Sequence, residues 1–265
     1  MSQLVATATR PLPDAARAEL AAALGRIRGS RGLVVRMSDL LAGIVGAAAA
    51  RGLRRLLPPA RIGERARGLA QVALRRAFDV AVLGLPPSGA RARMEARGSR
   101  AAAAVSGAVG GFVGFAGFLP DATMTTLLIM RRIAAIAAEE GESLDDPSAR
   151  AACLEVFAVG GTGADEPWKE GEAPEIGYWG ARMVLQGRPL VMLFSEATAA
   201  YGLRLSQKLT LQAVPLIGAA GGALVNGAFM SHYESLARAH FVIRRLERDY
   251  GADAVRAAAL ALPAA

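Results

Sequence analysis

The chain has 265 residues, 53% of them hydrophobic, a mean hydropathy of +0.31 and a formal charge of +8. That length suffices for one large domain or two small ones with a substantial core, and much of the apolar content is Ala and Gly, which add little transfer free energy each. Residues 1–100 hold 18 Arg against 6 acids, while residues 101–265 hold 13 basic and 17 acidic residues; the basic half has one aromatic, Phe78, so a base-stacking platform is excluded and nucleic acid is not favoured.

Residues 1–20 lack a basic segment leading into an apolar run, so no secretory signal is read and the chain is expected on the cytoplasmic side. In the stretch DAARAELAAALGRIR, 14–28, Asp14 is placed to cap a helix. Its spacing puts Ala15, Ala18, Ala22 and Leu24 or Ile27 on one side, with Arg17, Arg26 and Arg28 more outward. Amphipathic helices follow over 32–57, ended by Pro58-Pro59, and over 64–83, ended near Gly84. Residues 1–90 therefore read as a basic amphipathic helical region and 91–265 as a second helical domain, with one continuous domain as the alternative.

Residues 101–119 are uncharged, and within them Gly107, Gly110, Gly114 and Gly117 recur at helical spacing with Gly111 beside them. Gly111, Gly114 and Gly117 also satisfy a dinucleotide-loop pattern, but RAAAAVS before them is no strand and Asp121 follows Pro120, so that reading fails its context. A glycine stripe on a helix costs stability unless another backbone lies against it, which makes this a close-packing helix. Pro120 should break the run and Asp121 should cap the next helix, which Gly141 ends. Asp146-Pro147 should start another, with proline at the first helical position, and buried Cys153 belongs to its core. The single cysteine excludes an intrachain disulfide. Residues 160–180, rich in Gly, Pro and acids, read as a loop or lid.

Beyond 181 the helical patterns return, with an uncharged run from Leu209 to Met230, a charged segment to Tyr250 and a short last helix. GAAGG, with Gly218, Gly221 and Gly222, echoes GAVGG; each precedes paired arginines, Arg131-Arg132 and Arg244-Arg245, and then a glycine, Gly141 or Gly251. Strand signals are scarce. The expected fold is all-α, a multi-helix bundle with two Gly-rich apolar central helices packed together, and a pseudo-repeat is one reading of the echo. Ala101–Leu119 is on the order of 28 Å long as a helix, close to a bilayer core, so membrane spanning, interfacial insertion and core packing all stay open.

The block from Gly107 to Gly161 resembles the signature of the bacterial EcsC family: a glycine-rich run, Pro-Asp, a helix with central arginine, Gly followed by acids, and a helix ending in Gly-Gly. YWGAR at 178–182 and the Gly-rich, Asn-bearing segment 215–251 extend the likeness. The resemblance implies a helical, membrane-associated accessory protein, of the kind whose namesake accompanies an ABC-transporter operon. It carries no catalytic residue set.

Polar residues beside apolar segments are the candidates for binding lipid or another ligand: Asp121, Arg131, Arg182, Asn226 and His232. Arg131 and Arg132 point about 100° apart, so one is solvated while the other pairs with Glu196 or Asp121; Arg182 serves a lipid phosphate or an acid of the 160–180 loop. His232 and His240 stand about 12 Å apart along a helix, too far for one metal, and no cofactor is expected. Ser195-Glu196 and Ser231-His232 lack a nucleophile elbow. The expected function is non-enzymatic: a membrane-associated protein binding anionic lipid or a membrane-protein partner on the cytoplasmic side of the inner membrane, with a homo-oligomer allowed. The alternative is a soluble cytoplasmic helical enzyme or small-ligand protein, its pocket covered by the 160–180 loop and lined by Arg131, Arg182 and Asn226.

Overall fold

The computed structural model describes residues 12–30, 102, 105, 118–161, 178–180, 182 and 215–262. Among these the secondary structure is helical, with no strand, in keeping with the scarcity of strand patterns in the sequence. Helix α1 covers 14–30, α2 is Phe118–Glu139, α3 is Pro147–Gly161, α4 is Pro215–Tyr250 and α5 is Ala252–Ala261. Residues 178–180 and Arg182 are also helical, so the expected loop over 160–180 is helical at both of its ends. The glycines from Gly107 to Gly117, and the packing expected of them, lie outside the described residues. Gly218, Gly221 and Gly222 fall in the first turns of α4.

The boundaries follow from backbone chemistry. Gly141 takes φ +83°, where a side chain would clash, and its N–H reaches the Ala138 carbonyl at 3.1 Å while Glu142 N–H reaches Ala137 at 3.0 Å. That pair of bonds satisfies the last carbonyls of α2. Asp146 caps α3 through its carboxylate, which accepts from the Ser148 N–H at 2.8 Å; that bond holds the carboxyl below its usual range. Gly251, at φ +90°, separates α4 from α5.

Two expected caps are corrected. Helix α2 contains Phe118, Leu119 and Pro120, so Asp121 stands inside its first turn rather than at its cap. Proline is tolerated there because the first four N–H groups of a helix have no partner within it. In α1 the Arg17 N–H bonds to the Pro13 carbonyl at 2.9 Å, which makes Pro13 the cap and Asp14 the first helical residue. The buried face of α1 is also one position off the expected one: Ala16, Leu20, Ala23, Leu24 and Ile27 are inside, while Ala15, Ala18 and Ala22 are exposed. Arg17 and Arg26 point outward as expected. Methyl groups cannot orient a helix; the large side chains at 20, 24 and 27 do, and they carry position 16 with them.

Contacts fix the helix directions. Arg132, Glu139 and Glu142 of α2 and its following turn meet Glu234, Arg238 and Arg244 of α4 in ascending order, so α2 and α4 run parallel. Gly160 lies against Tyr233 and Glu155 near His240, so α3 runs antiparallel to α4. Ser30 lies near His232 and Glu19 near Arg245, which makes α1 antiparallel as well. Helix α4 is thus the hub, and Leu20, Ile129, Ile133, Leu154, Phe157, Tyr233 and Phe241 form one core between it and its neighbours.

The uncharged run changes meaning in this setting. Pro215 is the first residue of α4, so the uncharged part of this helix is Pro215–Tyr233, about 28 Å, and it continues without interruption into the charged half. Among the described residues no helix is long and apolar enough to cross a membrane.

Candidate functional site

Three polar assemblies sit at successive levels along α4. At the first, His232 is buried with Nδ1 3.2 Å from the Ser30 carbonyl of α1 and Nε2 3.1 Å from the Gly160 carbonyl of α3. At Gly160 α3 lies too near the hub for any side chain: a Cβ there would lie 2.3 Å from Tyr233 Cε1. The Tyr233 ring stacks on Phe157 with centroids 5.0 Å apart. One absent side chain therefore lets the aromatic pair close and brings the carbonyl to the histidine.

At the second level Arg132, 4% exposed, donates to Glu234 at 2.9 Å and Glu139 at 3.2 Å, and Arg238 joins Glu139 at 3.1 Å. The next turns extend this lattice. Arg244 grips Glu142 through two nitrogens, Arg248 also reaches Glu142, and Arg245 bridges Glu140 of the α2–α3 turn and Glu19 of α1. Glu140 and Glu142, on either side of Gly141, are thereby fastened to the end of the hub.

The third assembly is the most enclosed and chemically the most varied. Helix α3 supplies Glu155, the helical residues 178–180 and 182 supply Tyr178, Trp179 and Arg182, and α4 supplies His240 and Glu247. The Tyr178 hydroxyl is 3.0 Å from His240 Nδ1, while His240 Nε2 is 3.8 Å from Glu155. Arg182 is 3% exposed, binds both Glu247 oxygens at 2.9 and 2.5 Å, and lies over the Trp179 ring. Burial raises the Tyr178 and Glu155 pKa values and lowers that of His240 well below its usual value. Burial also pushes the neighbouring Cys153 thiol up to about 12. At neutral pH the assembly therefore offers neither thiolate nor phenolate, and its one guanidinium is already held by a carboxylate. It fixes three segments to one another.

The sequence-derived candidates do not converge. Arg182 is anchored at Glu247, and Asn226 is buried 21 positions earlier on α4, about 31 Å away along the axis. A single pocket lined by Arg131, Arg182 and Asn226 is therefore not formed. Arg131 is half-buried on α2 beside Arg132, whose partners are Glu139 and Glu234 rather than Glu196 or Asp121. Arg182 pairs with Glu247, not with an acid of the 160–180 segment. Glu155, Tyr178 and Glu247 escaped the sequence reading because their partners are 62 to 85 positions away in the chain. The one available signal was YWGAR itself, an arginine one turn after an aromatic pair. Among the described residues no group of three His, Cys, Asp or Glu side chains could hold a metal ion.

Comparison with curated proteins and with solved structures gives no match. The family comparison is informative: the model of the EcsC protein family matches residues 75–246, taking in α2, α3, the Tyr178–Arg182 segment and nearly all of α4. Helix α1 lies outside the match yet packs into the same core. On a match across well over half its length, the chain belongs to the EcsC protein family.

Proposed function

We propose that this EcsC-family protein is a non-enzymatic accessory protein that lies on the cytoplasmic side of the membrane and holds anionic lipid or a membrane-protein partner at one end of its bundle. The supporting observation is that charge is segregated along the bundle axis. Helix α4 carries no Asp, Glu, Lys or Arg from Pro215 to Tyr233 and seven of them from Glu234 to Asp249. Its parallel neighbour α2 has only Asp121 before Arg131. The arginines of the charged end, Arg132, Arg182, Arg238, Arg244 and Arg245, are paired with internal carboxylates. A lipid or membrane partner is therefore best accommodated at the uncharged end, before Arg131 of α2 and Glu234 of α4, where Asp121 is the one charged residue of these two helices.

Vesicle flotation tests this reading. Full-length protein should float with vesicles containing anionic phospholipid, and Ala223→Asp, on the half-buried flank of the uncharged part of α4, should weaken flotation at unchanged thermal stability. Protein that ignores both anionic and neutral vesicles at low salt, and stays in the soluble fraction of a bacterial lysate, removes the membrane from the account.

A further inference from the structure

Among the described residues, buried Arg132 and Arg182 and half-buried Arg244 have carboxylates in hydrogen-bond contact: Arg132 has Glu139 and Glu234, Arg182 has Glu247, and Arg244 has Glu142. Glu155 and His240 are arranged differently. Their nearest atoms are 3.8 Å apart, both side chains are almost sealed from water, and His240 Nε2 has no hydrogen-bond partner.

The groups around them explain why neither can keep a charge. Helix α3 contributes Glu155 and Cys153, the 178–182 segment Tyr178 and Arg182, α4 His240, Arg244 and Glu247, and the α2–α3 turn Glu142. Arg182 and Arg244 are the facing cations, and Glu247 and Glu142 each bind one of them through two nitrogens. A charged Glu155 would be a buried carboxylate with no cation bonded to it, and a charged His240 would face those two arginines. A neutral carboxylic acid beside a neutral imidazole avoids both penalties.

From this arrangement we infer that Glu155 and His240 share one proton in the folded protein, that it resides on the Glu155 carboxyl, and that folding moves it there from the histidine. The balance is simple. In the unfolded chain, between the ordinary values of 4.5 for the glutamate and 6.5 for the histidine, the proton is an N–H of His240 and Glu155 is ionised. In the folded protein that N–H has been exchanged for an O–H on Glu155, and the pair is neutral without either gaining or losing a proton overall. The directions imposed by burial agree, upward for Glu155 and downward for His240.

The linkage follows. Between 4.5 and 6.5 both states hold one proton, so the pair contributes no pH dependence. Above 6.5 the unfolded histidine releases its proton while folded Glu155 retains one, so stability falls as pH rises. Below 4.5 the unfolded glutamate takes up a second proton that folded His240 does not, so stability falls as pH falls. The pair defines a plateau with two edges.

Infrared spectroscopy and unfolding of the full-length protein test this together. At pH 6.5 the wild type should show the C=O stretch of a protonated carboxyl that shifts on 13C-glutamate labelling and is lost in Glu155→Gln. Above pH 6.5 the wild-type unfolding constant should grow by up to about tenfold per pH unit relative to that of Glu155→Gln. Below 6.5 Glu155→Gln should lose stability as pH falls, because only the histidine then takes up a proton on unfolding. Absence of the label-sensitive band, or parallel pH profiles for the two proteins, overturns the inference. Should Glu155→Gln fail to fold, the labelled wild-type spectrum decides by itself.

Discussion

The two halves of α4 are one helix with two solutions to packing. From Glu234 onward, neighbouring elements are fixed by charge: Arg132, Arg238, Arg244 and Arg245 meet Glu234, Glu139, Glu142, Glu140 and Glu19. Before Glu234 the helix is uncharged, and at the boundary α1, α3 and α4 meet through a histidine between two carbonyls and a glycine beneath an aromatic ring. Ion pairs need complementary groups at matching heights, whereas close approach needs only the absence of a side chain. The first kind of contact sets direction and register; the second sets distance.

Substitutions separate the two. The largest loss is expected from Arg132→Ala, which leaves Glu234 buried without its closest cation and should cost about 3–5 kcal/mol in denaturant unfolding. Arg132→Met should cost less than Arg132→Ala if the packing of the aliphatic stem matters, and as much if only the charge does. Next comes Gly160→Ala, whose methyl would overlap Tyr233 and force α3 and α4 apart, at about 1–3 kcal/mol by thermal unfolding. Pairing it with Tyr233→Leu should recover part of that loss, since the obstructing ring is gone.

Gly141→Ala imposes a left-handed backbone on an alanine and should cost about 1–2 kcal/mol. Smallest is Arg245→Ala, whose partly exposed pairs with Glu19 and Glu140 should be worth less than about 1 kcal/mol, falling further in high salt. A much larger loss would mean that α1 is held chiefly by this bridge and not by Leu20, Leu24 and Ile27.

What the sequence disclosed divides along the same line. Gly141, Asp146-Pro147 and Gly251 act on the backbone within a few residues, so their roles were readable in place. Cys153 was legible as core from its apolar surroundings. The family signature was legible because it is a pattern over many positions. The face of α1 was missed by one position because an alanine-rich helix offers little contrast between its sides. Asp121 was misplaced because Pro-Asp marks equally a cap and the first turn of a helix. Arg182 was singled out without its partner, since Glu247 is 65 positions away and nothing local encodes that meeting. Gly160 looked like the start of a loop, because its role depends on a ring more than 70 residues further along.

The position of the hub in the chain has a consequence for biogenesis. Helix α4 is made after α1, α2 and α3, yet each of them directs core residues toward it. At about 5–20 residues per second, roughly ten seconds separate the end of α2 from completion of α4. During that interval Leu20, Ile129 and Ile133, joined later by Phe157, are made without the surface that covers them. Nascent chains should therefore be open to chaperones until Tyr250 has emerged, and truncation within α4 should release three helices with uncovered apolar faces rather than a smaller bundle.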